Sequence, residues 1–147
     1  VSTRPARGAV LAFDFGEKRI GVAVGEIELA IPHALTVITA EDNDSRFAAI
    51  AALIGEWRPV RLVVGVASHA DGGAHETGRL SRRFGQRLHG RFGIAVDYVD
   101  ERLSSQAAEW ALREGGTAAG RRAAMLDAAA AAEILRSWFT TSPQTAA

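Results

Sequence analysis

No cysteine occurs anywhere in the 147 residues, which excludes disulfides and cysteine-ligated zinc and points to a reducing compartment. Net charge is missing as well. Seventeen Lys and Arg balance seventeen Asp and Glu, so the chain as a whole advertises no polyanionic partner. A local patch on a neutral protein still binds phosphates, and the balance is only a weak argument against nucleic acid. There is no uncharged apolar run of membrane-spanning length, and the opening VSTRPARGAV lacks the apolar core of a secretory signal. A cytoplasmic location with no membrane partner is therefore expected. Neither an internal repeat nor a domain boundary interrupts the chain. What is present, 48% hydrophobic and 23% charged residues over a length that suits one core, is the composition of an ordinary globular domain.

Small, polar and proline-containing residues at 1–8 and 140–147 read as loose tails around a single domain over 9–139. Alternation predicts strands over Ala9–Phe15 and Arg19–Gly25, joined by a turn around Gly16–Lys18 into an antiparallel hairpin. A third strand is expected over Ala34–Thr39. Phe47, Ile50, Leu53, Ile54 and Trp57 recur at helical spacing, which predicts a helix over Ser45–Trp57 with Asp44 or Ser45 as N-cap. Pro59 blocks its continuation, and the continuous apolar run RLVVGV that follows has the pattern of a buried strand. SHADGGAHE reads as a loop, residues from about Glu76 to Arg91 as a basic helix, and Ile94–Val99 as a further strand. Helices over Leu103–Arg113 and Arg121–Phe139, linked by GGTAAG, complete the chain. Strands alternating with helices after an opening hairpin indicate an α/β domain with a mixed sheet.

Three acidic positions stand out against this pattern. Asp14 closes an apolar strand. Asp100 and Glu101 close another, and alternation assigns Asp100 to the face of Val96 and Tyr98 but Glu101 to the face of Val99. Asp127 lies in RRAAMLDAAAAAEILRSWF with no base on its own helical stripe within one turn. Each has an ordinary reading: a turn cap for Asp14, a helix cap for Asp100 or Glu101, an exposed helix face for Asp127. Gathered in one place they would repel one another, an objection that hard divalent cations with oxygen ligands remove. The Asp14 face of its strand carries Val10, Ala12 and Gly16, small enough to admit another element closely. The alanine run after Asp127 suits that approach, so the last helix is expected to pack there and deliver Asp127 to Asp14.

DFGEKRIGVAV, RLVVGV with the DGG loop after it, VDERLSS and MLDAAAAAEIL, in this order, resemble the YqgF family over residues 9 to 139. Members are described as RuvX-type Holliday junction resolvases and as pre-16S rRNA nucleases. The resemblance implies a ribonuclease-H-like fold, a mixed five-stranded sheet flanked by helices. It also implies phosphodiester hydrolysis with Mg2+ or Mn2+ held by Asp14, Glu101 and Asp127, with Asp100 a less certain ligand. In one stretch the chain departs from the family, which commonly has a Pro and an Asn-Met before the central Asp-Gly; here the stretch reads VASHADGG.

Such chemistry needs cations for the substrate's phosphates. Lys18 and Arg19 in the hairpin turn and Arg102 after the acid are placed for that role, and Gly16 would let a phosphate approach the backbone. Arg79, Arg83 and Arg87, four residues apart, form a stripe without interleaved acids and read as a phosphate-tracking surface. His69 and His75 match no zinc spacing and read as loop polar groups, and Ser104-Ser105 as helix capping. The expected partner is structured nucleic acid, either precursor rRNA or branched DNA, with the chain a monomer or weak homodimer. Pre-16S rRNA 5′-end maturation is the leading function. Junction cleavage is the alternative, though a resolvase cutting both strands favours a symmetric dimer and no dimer seam is legible. Two further classes compete: a non-catalytic nucleic-acid-binding module and a nucleotide-binding phosphotransferase, the latter disfavoured by the lack of a second phosphate loop.

Overall fold

The opening apolar run folds back on itself at its one charged turn. In the computed structural model, which describes residues 4–39, 42–66, 72–100 and 119–141, β1 (Ala9–Asp14) pairs antiparallel with β2 (Ile20–Glu26). Phe13 is set opposite Val22 and Asp14 opposite Gly21. Gly16 is required by the connection between them, since a Cβ there would run into the carbonyl oxygen of Arg19. The turn itself therefore needs glycine at this position.

β2 pairs antiparallel with β3 (His33–Ile38), with an irregularity between Val22 and Ala23. On the other side of β1 lie β4 (Arg61–Val66) and β5 (Val96–Asp100), both parallel to it, giving the sheet order β3-β2-β1-β4-β5. The mixed five-stranded sheet is therefore as the sequence predicts. Helix α1 (Asn43–Trp57) starts two residues earlier than its apolar spacing suggests. Its N-cap is Asp42, whose carboxylate accepts the Ser45 amide at 2.9 Å, so neither Asp44 nor Ser45 does the capping. That hydrogen bond holds the Asp42 carboxyl below its ordinary value. α1 ends with Arg58 in the left-handed region, its amide donating to the Ile54 carbonyl, just before Pro59.

Helix α2 (Gly72–Phe92) begins four residues before the predicted start and takes in half of the loop read from SHADGGAHE. Two glycines there cost about 1 kcal/mol each, which a long helix absorbs because each added residue closes another hydrogen bond. α3 (Ala119–Thr140) is the long alanine-rich helix. The helix expected over Leu103–Arg113 lies outside the described residues. No helix among the described residues is long and apolar enough to cross a membrane.

The sheet has two unlike faces. Leu11, Phe13, Val22, Leu62 and Val64 pack against Phe47 and Ile50 of α1 and Phe84 and Leu88 of α2. On the opposite face Val10, Ala12, Ala23 and Val63 meet Ala131, Ile134, Leu135 and Trp138 of α3. The small-residue face of β1 is thus the one that α3 covers. Buried apolar area of this kind is worth about 25 cal/mol per Å2, and both faces draw on it. α3 is pinned at its far end by a polar knot. Asp97 accepts from Arg61 at 2.9 and 3.1 Å and from the Trp138 indole at 2.7 Å. The Arg4 guanidinium lies 3.8 Å from the centre of the Trp138 ring.

Candidate functional site

Strand alternation decides which acids can meet. The β1–β4–β5 registers align Phe13 with Val64 and Tyr98, so Asp14 falls level with Gly65 and Val99. Val99 packs in the α3-side cluster, whereas Tyr98 and Val96 pack on the α1/α2 side. Asp14 therefore belongs to the α3 face, and Asp100, one residue past Val99, to the opposite one. Asp100 ends β5 exposed to solvent. Glu101 and Arg102 lie outside the described residues, as do His69, Asp71 and Ser104-Ser105, and the His75 side chain is not described.

Asp127 reaches the same end of the sheet by a close helix crossing. A Cβ on Gly21 would overlap the backbone carbonyl of Asp127, so α3 lies directly on β2 at the residue paired with Asp14. Asp14 and Asp127 thus flank Gly21 from two sides, one along the sheet and one above it. The glycine is what permits this: any side chain at position 21 would lift the first described turns of α3 away. The separation in sequence is 113 residues, and local propensity carries no trace of it.

The Asp127 carboxylate has a partner that the helix alone did not disclose. Arg19 Nε donates to its Oδ2 at 2.5 Å from the β1–β2 hairpin, the guanidinium half exposed and the carboxylate largely covered. A long-range ion pair therefore holds Asp127, from a residue that does not lie on its own helix. Arg19 is correspondingly engaged with Asp127 through Nε, while its side chain stays about half exposed. Lys18 beside it is exposed. Among the described residues no group of three or more Asp, Glu, His or Cys converges. The oxygen-only pair of Asp14 and Asp127 suits a hard divalent cation in chemical type.

The arginine stripe on α2 divides in two. Arg83 and Arg87 turn toward α1, where with Phe15, Asn43, Arg46 and Phe84 they line an open cavity of about 170 Å3. Arg79 is exposed and is not part of that lining. Arg46 is a residue the sequence reading passed over. It is only 5% exposed, a cation among core residues. The signal was available, since position 46 is four residues before Ile50 and eleven before Trp57 on the apolar stripe of α1.

Comparison with known proteins agrees with this fold. A family model described as RuvX, Holliday junction resolvase, matches residues 8–141. A protein of Dechloromonas aromatica (strain RCB) named "Putative pre-16S rRNA nuclease" is 55% identical over 132 residues, 90% of either chain. Among solved structures, the T. thermophilus RuvC in complex with Holliday junction substrate superposes with a TM-score of 0.54 at 17% identity, covering 86% of this chain and 91% of that one. The yeast mitochondrial Holliday junction resolvase Ydc2 gives a TM-score of 0.59 at 11% identity, covering 94% of this chain and 80% of that one. At such identities the likeness speaks for the fold, ribonuclease-H-like as the sequence implied. With the family model spanning nearly the whole chain and half the residues identical in its relatives, the chain belongs to the RuvX family of Holliday junction resolvases.

Proposed function

We propose that this chain hydrolyses phosphodiester bonds in structured nucleic acid at the sheet edge where Asp14 and Asp127 meet, and that its substrate is the 5′-extended precursor of 16S rRNA. One observation carries the reading. α3 crosses β2 on Gly21, the register partner of Asp14, and so brings two carboxylates from opposite ends of the chain to one edge. That edge is the carboxyl end of the three parallel strands, where sheets of this architecture bind their ligands.

Glu101 is the proposed third ligand in preference to Asp100, because alternation along β5 assigns Val99 to the Asp14 face and Asp100 to the other. Mg2+ or Mn2+ held by these oxygens supplies an activated water and stabilises the leaving oxygen in phosphodiester hydrolysis. The chain's own residues do the positioning. Arg19 fixes the rotamer of Asp127, and the Gly21 crossing sets its height over the sheet. Lys18 and Arg102 are the proposed phosphate contacts nearest the acids, and Arg79, Arg83 and Arg87 those farther out. The absence of cysteine fits action in the cytoplasm.

A second substrate is favoured by the description of the family model itself, a four-way DNA junction. Both are tested together by incubating the protein with 5′-extended 16S precursor RNA and with a four-way junction, in Mg2+ or Mn2+, beside the variant Asp14→Asn. Shortening of the precursor by the parent and not by the variant is expected. Cleavage of the junction alone transfers the assignment to DNA. Cleavage of neither, or equal cleavage by the variant, defeats the nuclease reading.

A further inference from the structure

The open cavity between α1 and α2 has a composition that an ordinary surface depression does not. Three of its walls are guanidinium groups, from Arg46, Arg83 and Arg87, and Asn43 at the start of α1 adds an amide. Among the described residues no carboxylate belongs to its lining. Asp42, the N-cap of α1, has its carboxyl held low mainly by the Ser45 amide, with the charge of Arg46 a smaller contribution. Three arginines with no carboxylate among the described lining residues leave that lining positive. The hydrophobic side is equally organised. Phe15 stacks on Phe84 with ring centres 4.9 Å apart, and the Arg46 guanidinium lies 5.7 Å from the Phe15 ring.

Arg46 brings a buried guanidinium to this space. Arg83 and Arg87 do not face away from Arg46, as like charges on separate helices would if repulsion alone placed them. They face the same space. Such convergence is what an anion with several acceptor oxygens satisfies, because planar guanidinium groups bind phosphate oxygens in pairs. The location is as informative as the charge. Phe15 directly follows Asp14, so the cavity opens at the same end of β1 as the acids but on the other face of the sheet.

We infer that this cavity is a phosphate-binding subsite, which grips a phosphate of the nucleic acid other than the one being cleaved. It rests on the nuclease reading for the choice of ligand, since the arginines themselves specify only an anion. In it Arg46 is the buried anchor and Arg83 and Arg87 are the closing pair. The phosphate is either a terminal phosphomonoester or a bridging phosphodiester. Held there, the strand crosses the edge of β1, which sets how far from the gripped phosphate the cut falls.

The test is binding, measured in an Asp14→Asn background so that the RNA stays intact. Fluorescence anisotropy follows short 3′-labelled RNAs, with and without a 5′-phosphate, against Arg46→Gln, Arg83→Gln and, as a control on the same helix outside the cavity, Arg79→Gln. Arg46→Gln and Arg83→Gln are each expected to weaken binding by about tenfold and to lower the salt slope by about 0.7, one phosphate contact on a single strand. Arg79→Gln is expected to do less on both counts. A loss confined to the 5′-phosphorylated RNA identifies the terminal group, and an equal loss with both identifies a bridging phosphate. Unchanged affinity and salt slope in Arg83→Gln overturn the subsite, and this exposed position decides the matter even if Arg46→Gln fails to fold. Weakened binding in a protein that cleaves no substrate leaves the subsite standing and removes the nuclease reading instead.

Discussion

Gly21 is the residue on which the site's geometry depends most. It carries no chemistry, yet it determines how near α3 comes to β2 and hence where Asp127 stands relative to Asp14. Gly21→Ala forces a methyl group into the Asp127 carbonyl. Overpacking of this kind costs about 1–3 kcal/mol, and the strain here falls on the crossing itself. We expect a lower urea midpoint at unchanged m-value, with cleavage reduced by more than the loss of folded protein explains. Cleavage unchanged at full folding would mean that the crossing does not govern the acids. Arg19 shows how a residue type underdetermines its role. As sequence it is a cation in a turn, and in the fold it is the partner of an acid 108 residues away.

At the scale of elements, the two ends of α3 do different work. The Asp127 end is shaped by a close backbone crossing, and the Trp138 end by the Arg61–Asp97–Trp138 knot. Asp97→Ala removes the acceptor from a buried arginine and an indole at once. Its side chain is one-third exposed, so the cost is expected at about 2–4 kcal/mol, below that of breaking a fully buried pair. Thermal unfolding measures the loss, and residual cleavage by the folded fraction should match the parent, because this knot lies at the end of α3 away from Asp127. The elements also mark how far the sequence could be read. Alternation in β1 and the alanine run of α3 together disclosed which faces pack, because small residues opposite small residues have one use. The knot and the buried Arg46 were not foreseen. A salt bridge between β4 and β5 leaves no periodic mark. Arg46 broke an apolar stripe in plain view but was outweighed by the five apolar residues that defined it. Asp42 was missed as N-cap because the apolar spacing of α1 begins only at Phe47.

For the molecule as a whole, a neutral net charge conceals a strong local imbalance. Asp14 and Asp127 stand toward α3 at one edge of the sheet, and Arg46, Arg83 and Arg87 line a cavity toward α1 and α2 at the same edge on the other face. A polyanion spanning that edge meets cations first and acids only where a divalent cation makes them tolerable. The central claim is that Asp14 and Asp127 form one cation site from opposite ends of the chain. Titration of 15N-labelled protein with Mn2+ addresses it directly, through paramagnetic broadening of assigned amides. The account predicts that Asp14, Gly21 and Asp127 broaden together and before the rest, that excess Mg2+ reverses this, and that Asp14→Asn abolishes it. Broadening at only one of the two acids, or broadening that persists in Asp14→Asn, would contradict the account.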